Sequence, residues 1–198
     1  LDIPVDLAQA CDVIARQERR QIDLGQVNDA YFVNHVAVGA STLVSRSLNP
    51  QAKRVLGKLA YLAAAFRAYI HVTSFRAELT MDGERSEFDT LQIVAGNGRH
   101  HAGPFLLSPE ASLDSGKVVV YALESTDRRR LIELVRRLPS GDHVNMPDVK
   151  AYSGVTGSLR TNRSVRVSVD GEVGLRTPIE FSIVPQALTV FAPEATAV

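Results

Sequence analysis

The sequence predicts a mainly β fold with some α, a two-layer β-sandwich-like domain with one long helix and two shorter ones packed against it. Three observations carry that expectation. Period-two alternation of apolar and polar residues recurs along the chain, helical spacing is confined to three segments, and 198 residues that are 45% hydrophobic can bury one core without metal or disulfide staples.

Near the start, Pro4 suits a first helical position, and Leu7, Cys11 and Ile14 recur at helical spacing, which predicts a short amphipathic helix with Cys11 as a small core residue. Residues 20–27 alternate loosely and residues 31–38 are rich in aromatic and β-branched side chains, so the Asn28-Asp29 turn between them predicts a hairpin. The long helix is expected over residues 53–71, where Val55, Leu59, Leu62, Ala63, Phe66 and Ile70 follow at spacings of three and four. From Phe75 the period changes to two, through Ala77, Leu79 and Met81, until Asp82-Gly83 breaks the run. Residues 91–95 are the expected partner strand.

A continuous apolar strand follows at residues 118–123, and Thr126-Asp127 opens a helix whose stripe is Leu131, Leu134, Val135 and Leu138, closed by Pro139-Ser140-Gly141. From Val149 onward the chain reads as β, with Val165, Val167 and Val169, then Ile179, Phe181 and Ile183, then Leu188 and Val190 facing inward. A strand-Asp-Gly-Glu-strand pattern occurs at both Asp82 and Asp170, and common hairpin chemistry accounts for it without an internal repeat.

Twenty-two basic residues balance twenty-two acidic ones, so no net field favours a polyanion, and nucleic acid is not an expected partner. One cysteine forms no intrachain disulfide, which fits a reducing, cytoplasmic setting. The longest apolar stretch, residues 59–66, is far shorter than the roughly 20 residues of a spanning helix. The opening at Leu1, without a methionine or leader, reads as part of a longer protein.

Asp170 and Glu172 stand two apart, so in extended backbone both leave one face, and Gly171 between them admits close approach. Crowded or buried, such a pair can raise one apparent pKa toward the range of a general base. The same triplet is also ordinary turn chemistry. Arg128, Arg129, Arg130, Arg136 and Arg137 give the last helix a basic face, read either as solvated surface or as a contact for anionic lipid. His100 and His101 are read as a loop, without ligand-spaced partners for a metal.

Several ordered segments together resemble the C-terminal domain of the diacylglycerol kinase and sphingosine kinase superfamily, in particular the bacterial YegS-like lipid kinases of the NAD kinase/diacylglycerol kinase-like fold. They are Ile22-Asp23-Leu24-Gly25 with Phe32-Val33-Asn34, Gly57-Lys58-Leu59-Ala60-Tyr61, Gly96-Asn97-Gly98, Pro109 to Gly116, and Asp170-Gly171-Glu172 with Thr177-Pro178. The resemblance implies that residues 1–198 form the C-terminal domain of an ATP-dependent lipid kinase, with Glu172 as proton acceptor and Asp170 and Asp23 in the polar network of the interdomain cleft. It also implies a structural magnesium held by the Ser112 and Lys117 carbonyls and an aspartate at position 115, where this chain has Ser115. A neutral hydroxyl there makes the site doubtful unless Asp114 turns inward.

No Walker-type glycine loop and no Gly-Gly-Asp-Gly-Thr motif occurs in the sequence, so no segment here is expected to cradle ATP phosphates. The resemblance implies that ATP and magnesium bind mainly to an N-terminal α/β domain outside this chain and that the chain alone is inactive. The implied acceptor is a lipid hydroxyl, diacylglycerol- or phosphatidylglycerol-like. The implied setting is the cytoplasm, peripheral at the inner membrane face, with a homodimer possible. The alternatives are a non-catalytic β-domain that binds a lipid or protein partner and, more distantly, an NAD kinase.

Overall fold

The computed structural model describes residues 1, 3–42, 71–97, 100–101, 105–106, 112–137, 140 and 142–193. The expected long helix falls outside these residues except for His71, which is helical. Helix α1 (Leu7–Ala15) starts where the Asp6 carboxylate accepts the Gln9 amide at 3.0 Å, a side-chain N-cap. Its buried residue is Val13, whereas Leu7 and Ile14 are 78% and 56% exposed. Cys11 is exposed too, so it is not the core residue that helical spacing suggested.

Strands β1 (Arg19–Val27), β2 (Ala30–Phe32), β3 (His35–Gly39), β4 (Phe75–Met81), β5 (Glu84–Thr90) and β6 (Gln92–Gly96) make up the first part of the chain. After the short pair β7 (His100–His101) and β8 (Phe105–Leu106) come β9 (Val118–Leu123), helix α2 (Arg128–Arg137), a 3-10 turn at Asp142–Asn145 and β10 (Val149–Gly154). Strands β11 (Thr156–Thr161), β12 (Arg166–Val169), β13 (Glu172–Arg176) and β14 (Ile179–Phe191) complete it. His100 and His101, read as loop, are thus strand residues paired with Leu106 and Phe105.

Two six-stranded antiparallel sheets result. The first has the order β2-β1-β14-β11-β4-β5 and the second β10-β9-β6-β3-β12-β13. Their facing sides enclose one core that includes Phe32, Leu79, Ile93, Val120, Val167 and Phe181. A second cluster, with Val94, Tyr121, Leu131 and Leu134, packs α2 on the outer side of the second sheet. Coverage of both faces explains why β9 is a continuous apolar run and β4 an alternating one, since β4 has the solvent on its other side.

Pairing departs from expectation at two places. The hairpin across Asn28-Asp29 keeps three cross-strand pairs, Val27–Ala30, Gln26–Tyr31 and Gly25–Phe32, before the chain crosses to the other sheet as β3. Strand β4 pairs with β5 and β11 rather than with residues 91–95. Asp82 and Gly83 have φ of +46° and +94°, the left-handed pair of a two-residue hairpin, so the chain folds straight back as the polar edge strand β5. Leu91 then carries it into the other sheet.

The two sheet orders interconvert when each of β1 to β6 is exchanged with its counterpart in β9 to β14, taken in chain order. The domain is therefore built of two six-strand units of equal topology, each placing four strands in one sheet and two in the other. In both units an Asp-Gly hairpin joins the fourth and fifth strands, so the pattern at Asp82 and Asp170 marks equivalent places in a repeated topology rather than the coincidence of hairpin chemistry that the sequence suggested.

Candidate functional site

The hairpin β12–β13 turns on Asp170 and Gly171, with φ of +46° and +95°, and Glu172 is the first residue of β13, opposite Val169. Asp170 uses its side chain to hold another part of the chain. The Val33, Asn34 and His35 amides donate to its carboxylate at 2.8, 3.0 and 2.8 Å, so it pins the corner where the chain passes from β2 to β3. Burial holds the pKa of His35 below its ordinary value, and the Asp170 charge opposes that shift.

From this corner a hydrogen-bond network runs to Asp23. The Asn97 amide donates to the Asn34 carbonyl at 2.9 Å, and the Asn97 side-chain nitrogen donates to the Asp23 carbonyl at 2.6 Å. Asp23 lies at a bulge in β1, between Ile22 and Leu24, and is 2% exposed. Its carboxylate accepts the Gly116 amide at 2.7 Å and the Gln186 amide at 2.9 Å, which satisfies one lone pair on each oxygen without a cation. Its own amide donates to the Leu113 carbonyl at 2.6 Å.

The three expected carboxylates therefore divide in two. Asp23 and Asp170 are bound into one network, and Glu172, on the hairpin that Asp170 anchors, is exposed, its carboxylate without a hydrogen bond or ion pair to another described residue. Asn97, Asn34, Gln186 and Arg20 complete the arrangement and were not singled out as site residues. Asn97 carried a legible sign, an amide side chain between two glycines at a strand end, and its Oδ1 is buried without a partner.

The Asp82 turn serves as an internal comparison. Its carboxylate accepts the Val155 and Thr156 amides at 3.0 and 2.9 Å and pins the β10-to-β11 corner, and these bonds hold its pKa below the ordinary carboxylate range. Where the Asn97 amide meets Asn34, here the Ile183 amide meets the Val155 carbonyl at 3.0 Å. An apolar side chain stands in place of the amide, so among the described residues the polar network exists on the Asp170 side alone. An open groove of about 430 Å³ on the outer face of the first sheet passes Asp82, Ser158 and Glu180, and none of Asp23, Asp170 and Glu172 lines it.

In the loop before β9, the Ser115 amide donates to the Ser112 carbonyl at 3.2 Å, and the Ser115 hydroxyl lies 3.4 Å from the Lys117 carbonyl oxygen. Asp114 does not turn toward these carbonyls. It accepts the Ser112 hydroxyl and pairs with Arg20 at 2.6 Å, and both partners hold its pKa below the ordinary range. The oxygens that Ser112, Ser115 and Lys117 would offer a cation are neutral, a poor fit to magnesium, which is usually held through carboxylates. On α2, Arg130 pairs with Glu133 and Asp148, and Arg137 with Glu133, which neutralises part of the basic face.

Residues 34–192 match the family model of the YegS C-terminal NAD kinase beta sandwich-like domain. The chain belongs to this family.

Among curated relatives of this YegS C-terminal domain is a protein of Staphylococcus saprophyticus subsp. saprophyticus named diacylglycerol kinase, 28% identical over 193 residues, which cover 98% of this chain and 63% of the relative. A protein of the same name from Staphylococcus aureus strain JH9 is also 28% identical over 98% of the chain and 61% of its own length. The chain thus spans less than two thirds of these relatives. The fold agrees with solved Bacillus anthracis str. Sterne structures. One, provisionally named a diacylglycerol kinase, has TM-score 0.80 at 22% identity over 98% of this chain and 63% of its own, and another has TM-score 0.70 at 15% identity over 98% and 61%.

Proposed function

We propose that this chain is the acceptor-side domain of an ATP-dependent lipid kinase, in which Glu172 accepts the proton of a lipid hydroxyl as that oxygen attacks the γ-phosphorus of ATP and the bond from that phosphorus to the bridging oxygen breaks, releasing ADP. Family membership and the names of the relatives support the reading at the level of kinase class. One observation carries the assignment of the base. Asp170 and Glu172 are both exposed and Asp23 is buried, and of the three carboxylates only that of Glu172 is uncommitted among the described residues, while Asp170 fixes the hairpin that carries it and Asp23 holds the β1 bulge.

Asp170 then acts as a positioning residue, because its three amide bonds set the hairpin that carries Glu172. Asp23 holds the bulge and the 112–117 loop in place behind it. The remaining part of the longer protein supplies ATP and magnesium, which bring positioning and charge neutralisation to phosphoryl transfer. The acceptor we propose is diacylglycerol- or phosphatidylglycerol-like, met at the inner membrane face by a peripheral protein. No helix among the described residues is long and apolar enough to cross a membrane.

The test uses the full-length protein and transfer of labelled γ-phosphate from ATP to vesicles containing diacylglycerol or phosphatidylglycerol. Glu172→Gln is expected to lower kcat by about 10²–10⁴-fold, the usual contribution of a general base, with the unfolding midpoint unchanged. Turnover within about twofold of the parent would remove Glu172 from the role.

A further inference from the structure

The resemblance implies a divalent cation in the 112–117 loop, where Ser115 brings only a neutral hydroxyl and Asp114 turns to Arg20. We propose that the loop is closed internally, with the Arg20 guanidinium as its resident positive charge, and that it needs no divalent cation to hold Asp23.

A cation in such a loop would gather backbone carbonyls and cancel the charge of a nearby carboxylate. Here each of those tasks is done by the chain. Ser115 lies between the Ser112 and Lys117 carbonyls, donating its amide to the first at 3.2 Å and placing its hydroxyl 3.4 Å from the second. The same hydroxyl accepts the Lys117 amide at 3.3 Å. Asp114, the loop's own carboxylate, is taken by Arg20 at 2.6 Å, and the arginine side chain is only 13% exposed, so its charge is placed by the fold rather than left in solvent. Asp23 is already held by the chain, since the Gly116 and Gln186 amides each bond one of its oxygens.

A divalent ion between the Ser112 and Lys117 carbonyls would have to break the Ser115 contacts and sit near Arg20 and Lys117. Ser112, Ser115 and Lys117 would give it only neutral oxygens, and Asp114 would have to leave Arg20 to reach it. Magnesium sheds its water reluctantly and prefers carboxylates, so the exchange is unfavourable. Arg20 also sits on β1 three residues before Asp23, and the loop bonds Asp23 through both Leu113 and Gly116, so the pair with Asp114 braces the bulge from the outside.

The deciding experiment is amide hydrogen exchange of the nucleotide-free full-length protein, read on peptides that cover residues 112–117. This local signal separates the loop from any magnesium bound elsewhere. Exchange is expected to be equal, within about twofold, in EDTA and in millimolar magnesium, and Arg20→Gln should speed exchange of the loop by about tenfold or more in both. Magnesium-dependent protection of the wild-type loop by about tenfold would overturn the proposal, and so would an Arg20→Gln variant with wild-type loop exchange. Should that variant lose protection in the distant β4–β5 hairpin as well, the wild-type comparison decides alone. A crystal of the wild-type protein soaked in manganese chloride gives an independent reading, because anomalous density between the Ser112 and Lys117 carbonyls would refute the idea and density confined to other places would support it.

Discussion

Asp23 shows how backbone amides can accommodate a buried carboxylate. Its two oxygens accept backbone amides from Gly116 and Gln186, and hydrogen bonds to a charged acceptor are among the stronger ones in proteins. Asp23→Asn keeps the volume and replaces one acceptor oxygen by an NH₂ group, which must face a backbone N–H. The expected loss is about 1.5–3 kcal/mol, read as a lower urea midpoint at unchanged slope, and a midpoint equal to the wild type would show that the two amides do not depend on the charge. His35 gives a pH dependence at the same corner. Its pKa is lowered by burial from an ordinary 6.5, so the unfolded chain binds the proton first. Its contribution is thus intact above 6.5, and stability is lost as the pH falls through 6.5 toward the folded-state value. Urea midpoints of wild type and His35→Gln between about pH 7.5 and 5.5 should diverge in slope, the variant being flatter, and parallel slopes would contradict the assignment.

At the scale of elements, the two Asp-Gly hairpins offer a matched pair. Asp82 and Asp170 share the left-handed φ, the following glycine and a carboxylate that caps the amides of a sheet-crossing corner. Asp82→Ala and Asp170→Ala should therefore both lower the unfolding temperature, but only Asp170→Ala should lower kcat, because only its corner joins Asn97 and Asp23 and carries Glu172 on the same hairpin. Equal activity losses in the two variants would mean that stability, not position, links Asp170 to turnover. The hairpins were legible in the sequence because Asp-Gly between alternating runs specifies a turn locally. Partner choice was not, since β5 is a polar edge strand without apolar alternation, and a single residue, Leu91, moves the chain between sheets. Period two states which residues share a face and is silent about which sheet they join. The same limit hid the site's floor: Asp170 and Glu172 could be read from their spacing, whereas the contacts of Asp23 with Gly116 and Gln186 span 93 and 163 residues of sequence.

For the molecule as a whole, the two six-strand units are interleaved rather than side by side. Strands β14 and β11 of the second unit stand between β1 and β4 of the first, and β6 and β3 stand between β9 and β12 in return. Removing either unit would leave two separate hairpins in one sheet and a single two-stranded pair in the other, and isolated two-stranded ribbons are at best marginally stable in water. The core has the same property, since Leu79 from one unit and Phe181 from the other lie in one cluster with Val120 and Val167. The domain should consequently unfold as one cooperative piece. Leu79→Ala in the first sheet is expected to cost about 2–5 kcal/mol, and it should lower the protection of amides in β9, which lies in the other sheet, by the same free energy as that of amides in β4. Separately expressed halves, residues 1–117 and 118–198, should each lack the dispersed amide spectrum of a folded β protein. A folded first half, or β9 amides that keep wild-type protection in Leu79→Ala, would show that the units are independent and that the interleaving contributes little to stability.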